Sequence, residues 1–196
     1  MVKRLSMLII MSSFLFRLSG QEASYIDSML VVIKNADNTK EKLKAYSELV
    51  QVYSNSDTSK AFALADTALY LALKNYDSEM ILVLMFSKGM IYFTSGDYSK
   101  ALDIYNQALV YARETGSKYW EARLLNNKGI TYAELSDQEN ALKNFLEALR
   151  ISESSDDRLN IAKTRGNLGG LYASMRNFND ALKELNASLV IFEEEG

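Results

Sequence analysis

Two cations stand forty residues apart, Arg123 and Lys163, and each is followed four positions later by an asparagine, Asn127 and Asn167. A guanidinium or an ammonium can meet a carboxylate, and a primary amide can donate to and accept from a peptide backbone at once. The chemistry these four offer is recognition rather than bond-breaking. On a helix Arg123, Asn127, Ile130 and Glu134 follow i, i+4, i+7 and i+11 and share one face. Lys163, Asn167, Gly170 and Ser174 repeat that face one period later. Val83, Ser87, Met90 and Thr94 hold the same places one period earlier, without the cation or the amide.

The sequence offers little else that could react. It contains no cysteine and no histidine, which removes thiolate nucleophiles, the commonest general base and most zinc sites. Carboxylates, lysines, serines and tyrosines remain, but they form no convergent catalytic set. No enzyme activity, no cofactor and no metal are therefore expected. Gly166-Asn167-Leu168-Gly169-Gly170 resembles a phosphate loop in spelling only, since it follows no strand. Asn186-Ala187-Ser188 spells a glycosylation triplet but falls where a helix is expected.

The elements that must position the polar stripe follow from an internal repeat. Ala61, Ala101, Ala141 and Ala181 lie 40 residues apart. Seven residues after each stand Ala68, Ala108, Ala148 and Ser188, each followed by leucine. Gly89, Gly129 and Gly169 keep the same interval, as do Tyr92, Tyr132 and Tyr172. Within each period apolar residues recur every three or four positions in two runs, which reads as two helices. Short links carry turn and capping residues at Asp57, Gly96-Asp97, Asp137 and Asn177, with Gly116-Ser117 and Ser154-Ser155-Asp156 between periods. Proline is absent from all 196 residues, which suits a chain helical almost throughout. The expected hairpins are 40–54/57–74, 77–95/97–114, 117–135/137–154 and 157–175/177–195. Gly129 should let its helix approach its partner closely, Ala141 and Ala148 should keep the contact face thin, and Tyr132 and Phe145 should fill the spaces between units. One hairpin cannot bury its apolar face alone, but a stack can. The fold class expected is all-α, a right-handed α-solenoid of helix-turn-helix repeats.

The run Gly89-Met90-Ile91-Tyr92, followed by Gly96-Asp97-Tyr98-Ser99-Lys100-Ala101-Leu102 and Ala108-Leu109, resembles the tetratricopeptide repeat family, with echoes in the next two periods. The resemblance covers residues 40 to 196 and divides them into four repeats, 40–76, 77–116, 117–156 and 157–196. The family's usual repeat is shorter and carries a proline. The longer repeat here is similar to those of exported bacterial sensor regions, peptide-responsive regulators and kinesin light chains. The resemblance implies a concave groove lined by the first helices, which binds protein or peptide. Arg165 occupies a usually apolar place, and the first repeat lacks the glycine near Val50. Residues 21–39, with Tyr25, Ile26, Met29, Leu30 and Ile33, read as an N-terminal capping helix.

Lys3 and Arg4 precede an apolar stretch from Leu5 to Phe16, about the length of a signal-peptide core. Residues 1–20 read as a signal peptide cleaved after Gly20, against an uncleaved anchor or a buried N-terminal helix. The expected location is periplasmic or otherwise extracytoplasmic. Removing Lys3, Arg4 and Arg17 takes the net charge from −3 (22 basic, 25 acidic) to −6 (19 basic, 25 acidic). An acidic domain does not suit nucleic acid. The functional expectation is a non-catalytic binding module, the sensing or scaffold part of a larger signalling protein, with a free-standing assembly scaffold as the alternative. The last helix carries Leu182, Leu185, Leu189, Val190 and Phe192 with nothing following to cover them. This suggests a continuation past Gly196, with a possible membrane link, or else a homo-oligomer contact.

Overall fold

A computed structural model describes residues 23–195. The expected signal peptide and Gly196 lie outside the described residues. Two compact units divide between Asp77 and Ser78.

In the first unit a helix over 23–35 (α1) is followed by α2 (Thr39–Tyr53) and α3 (Thr58–Lys74). Leu43, Leu49 and Val50 of α2 are buried, and α3 contributes only alanines, Ala61, Ala65, Ala68 and Ala72. Small side chains on one helix let the larger ones of its neighbour sit close. Tyr25 of α1 donates its hydroxyl to Glu48 of α2.

The second unit is a run of six helices, α4 (Ser78–Thr94), α5 (Tyr98–Glu114), α6 (Lys118–Glu134), α7 (Gln138–Ser154), α8 (Arg158–Ser174) and α9 (Phe178–Glu195). From α4 to α8 each helix has 17 residues and each begins twenty after the last. No strand occurs among the described residues, so the fold is an all-α helical repeat.

The joints explain the even spacing. At the end of α4, Asp97 N donates to the Tyr92 carbonyl and Gly96 N to that of Phe93, closing the helix with a left-handed residue at Gly96, φ 78°. The side chain of the next residue, Asp97, then accepts from Lys100 N and opens α5. The same stop-and-start recurs at Gly116-Ser117, Ser136-Asp137, Asp156-Asp157 and Arg176-Asn177. Between α7 and α8 the cap is Asp157, not the expected Ser154-Ser155-Asp156, because Asp156 is the left-handed residue with φ 51°.

Consecutive helices pack as antiparallel neighbours, and α6 additionally touches α4 and α8. Among the described residues the second helices α5, α7 and α9 make no such contacts with one another. The first helices are thus the crowded row of this unit and the second helices the splayed one. Within each hairpin a glycine faces a large side chain: Gly89 faces Tyr105, Gly129 faces Phe145 and Gly169 faces Leu185. Phe145 therefore does more than fill the space between repeats, as its ring rests on Gly129 of its own hairpin while it also packs with Leu168 and Leu171 of the next. Tyr92 and Tyr132 are half-buried against the two cores, as is Tyr172. Ala101, Ala108, Ala141, Ala148 and Ala181 are buried. Arg165 is accommodated by pairing with Glu153 of α7 and Glu184 of α9 at 2.7 Å each.

Candidate functional site

The crowded row carries the polar stripe. Two clefts run along it between α6 and α8, sharing Ile130, Gly166 and Asn167. The larger, about 500 Å³, is lined by Phe86, Met90, Arg123, Asn126, Asn127, Ile130, Asn160, Ala162, Lys163, Gly166, Asn167 and Phe192. The smaller, about 350 Å³, continues through Ala133, Glu134, Ser136, Gln138, Phe145, Gly170, Leu171 and Ser174. Both volumes fall in the range of ligand clefts, roughly 300–1,000 Å³.

α4 and α6 are tied together by residues that include two of the larger cleft's lining, Phe86 and Arg123. The Trp120 indole N–H donates to Glu79 at 2.9 Å, and the Phe86 and Trp120 rings lie 5.7 Å apart. Arg123 stacks on this pair, its guanidinium 4.3 Å from the Phe86 ring centre and 5.0 Å from that of Trp120. One of its N–H groups donates to the Tyr119 hydroxyl at 2.8 Å. Cation–π stacking of this kind fixes a long side chain in place. Arg123 is therefore a preorganised wall, not a mobile surface charge.

α6 and α8 are joined across the cleft floor by one amide pair, Asn167 Nδ2 donating to Asn126 Oδ1 at 2.9 Å. Asn127 turns its Nδ2 back to the Arg123 carbonyl at 2.9 Å. Among the described residues Asn126 Nδ2 and Asn127 Oδ1 take no partner, which leaves one donor and one acceptor on adjacent residues of α6. Lys163 is exposed and makes no ion pair among the described residues. Asn160 is spent on its helix cap, bonding Asp157 through both backbone and side chain.

Of the residues expected to line a groove, the structure brings Met90, Arg123, Asn127, Ile130, Lys163 and Asn167 into the larger cleft and Glu134, Gly170 and Ser174 into the smaller. Val83 and Ser87 line neither: Val83 packs on the core and Ser87 donates to its own helix at the Val83 carbonyl. Thr94 likewise bonds back to Met90 and Ile91. Phe86, Asn126 and Gly166, forty residues apart, were missed. Widening the stripe by one i+3 step would have found them. Gly166 to Gly170 lies inside α8, where no phosphate loop can form. Among the described residues no cluster of acidic side chains could hold a metal ion.

Elsewhere the polar network ties repeats together. Glu121 of α6 is nearly buried and pairs with Arg113 of α5 at 2.8 Å and Lys118 at 2.7 Å. Burial alone would push the Glu121 carboxyl up, but hydrogen bonds from Lys118 and Arg113 outweigh it and hold the carboxyl below its ordinary value. Arg158 pairs with Glu194 and Glu195, offsetting the acidic end of α9.

Two models described as tetratricopeptide repeat match residues 83–114 and 120–194, together more than half of the chain. No curated protein sequence matches it. Solved structures similar to it include BtubC (BKLC) from P. vanneervenii, 22% identical with a TM-score of 0.74 over 92% of this chain and 74% of that one. Aspartyl phosphate phosphatase F from Bacillus subtilis is 15% identical with a TM-score of 0.76, over 90% of this chain and 50% of that one. A Signal Transduction ATPase with Numerous Domains from Pyrococcus horikoshii, described as having a tetratricopeptide repeat sensor, is 15% identical with a TM-score of 0.68, over 91% and 30%. At such identities the likeness is one of fold, and this chain spans half or less of the last two proteins.

Proposed function

Because the chain belongs to the tetratricopeptide repeat family, we propose that it is a non-catalytic module holding an extended peptide segment of another protein in the clefts between α6 and α8. The observation that carries this reading is the cleft floor. Asn126 and Asn167 hold each other at 2.9 Å, and Asn126 Nδ2 and Asn127 Oδ1 remain as a donor and an acceptor, the two functions a peptide backbone needs. The stacked Arg123 beside them is fixed before any ligand arrives, which lowers the ordering cost of binding.

The test is capture of peptides by the immobilised full chain from a pool of random hexapeptides blocked at both ends. The wild type should retain a subset, and Arg123→Glu with Lys163→Glu should lose it while far-UV circular dichroism shows unchanged helicity. Equal retention by the double variant would remove the cleft from the mechanism.

The setting we propose is extracytoplasmic, with this module as the sensing part of a larger signalling protein. Support comes from the sequence of residues 1–20, a basic start and an apolar core of signal-peptide length. Cell fractionation with N-terminal sequencing should find the mature chain outside the cytoplasm, starting at Gln21. An intact Met1 in the cytosolic fraction would overturn it.

A further inference from the structure

Phe192 breaks the repeat. The residues at its place in the three earlier second helices are Ala72, Ala112 and Ser152, each fully buried. Phe192 is instead 41% exposed and joins Phe86 and Met90 in the lining of the larger cleft. Where the earlier repeats keep a small buried residue, this one holds a large, partly exposed ring that lines the cleft.

The charge of that space is also out of keeping with the chain. The whole sequence carries a net charge of −3, yet the cleft is lined by two cations, Arg123 and Lys163, and by no carboxylate among the described residues. Arg123 is held against its aromatic neighbours, while Lys163 has no ionic partner there. Lys163 and Phe192 therefore present an unpaired ammonium and a solvent-facing ring to one cavity.

We propose that Phe192 and Lys163 form a side-chain subsite that selects peptides carrying a large apolar residue next to an acidic one. This rests on the peptide reading above and adds its specificity. The apolar side chain lies against the Phe192 ring in the cleft that Phe86 and Met90 also line, and loses water there. The neighbouring carboxylate meets the Lys163 ammonium, and the unpartnered Asn126 Nδ2 and Asn127 Oδ1 take the backbone beside it.

The experiment sequences the hexapeptides retained by the full chain from the blocked random pool, for wild type, Phe192→Ala and Lys163→Glu. Wild type should enrich Phe, Leu, Ile or Met adjacent to Asp or Glu. Phe192→Ala should lower retention of the peptides carrying Phe, Leu, Ile or Met about tenfold or more, the scale of one buried large apolar side chain, while the acidic preference persists. Lys163→Glu should exchange the acidic preference for a basic one and keep the apolar preference, a switch that a merely structural role would not produce. Retention of no peptide by wild type would overturn the peptide reading and this subsite with it. Retention with no apolar–acidic preference, or a preference that neither variant changes, would overturn the subsite and leave the peptide reading standing.

Discussion

The ring of Phe145 lies so close over Gly129 that a Cβ on the glycine would stand 2.6 Å from two of its carbons. That distance is well inside contact for two carbons, so a side chain at 129 must displace the ring or the helix carrying it. Phe145 is itself wedged among Leu149, Leu168 and Leu171, which leaves it little room to yield. Gly129→Leu should lower stability by about 1–3 kcal/mol or more through overpacking, read as a lower melting midpoint. Gly170→Ala is the control. A Cβ there meets nothing within 4 Å, and alanine is the better helix former by about 1 kcal/mol. Its midpoint should rise, and a fall in both variants would mean that close packing at 129 is not the cause.

Much of the fold was legible because packing needs put small residues on a fixed lattice. Gly129 opposite Phe145 and Gly169 opposite Leu185 are one requirement met twice, and repetition makes such a requirement visible in a sequence. The cleft was legible only in part. The stripe through Arg123 and Asn127 could be read from helical periodicity, but the stacking of Arg123 on Phe86 joins residues 37 positions apart in different helices. Phe192 was legible as one of the uncovered apolar residues of the last helix, but its place in the cleft was not, because it departs from the lattice that made the rest readable.

Tyr105 faces Gly89 as Phe145 faces Gly129, but it brings a hydroxyl that is buried and has no hydrogen-bond partner among the described residues. Burial also pushes its ionisation well above the ordinary tyrosine value, so the hydroxyl stays neutral throughout the working range. An unsatisfied buried polar group costs about 1–3 kcal/mol. Tyr105→Phe should therefore raise stability by about 1 kcal/mol, seen as a higher denaturant midpoint at unchanged slope. A clear loss of stability would show that the hydroxyl has a partner, such as a buried water.

The joints make an independent prediction. Gly96 and Gly116 occupy left-handed positions, but Ser136, Asp156 and Arg176 occupy the same kind of position with side chains, at φ 60°, 51° and 62°. A residue with a Cβ is strained there by roughly 1 kcal/mol. Ser136→Gly and Arg176→Gly should each stabilise the chain by a few tenths to about 1 kcal/mol, and Gly96→Ala should destabilise it by about 1 kcal/mol. Thermal melts of the three variants check the sign. If all three shift the same way, the left-handed joint does not control stability.

Glu121 supplies a pH dependence whose sign can be worked out. Its carboxyl is only 8% exposed and is held below its ordinary value of 4.5 in the folded chain, because the bonds from Lys118 and Arg113 outweigh burial. The unfolded chain has no such bonds, so the folded state binds the proton less readily than the unfolded state does. Stability from this group is therefore fully present above the unfolded value and is lost as pH falls through the depressed folded value. Both cationic partners are well exposed, which keeps the contribution on the order of 1 kcal/mol. Glu121→Gln should cost about that much at pH 7, with the gap to wild type narrowing steadily below about pH 4.5. Urea denaturation of both proteins from pH 7 down to pH 3 measures the gap directly. A gap that widens on acidification would mean that burial, rather than the two cations, controls this carboxyl.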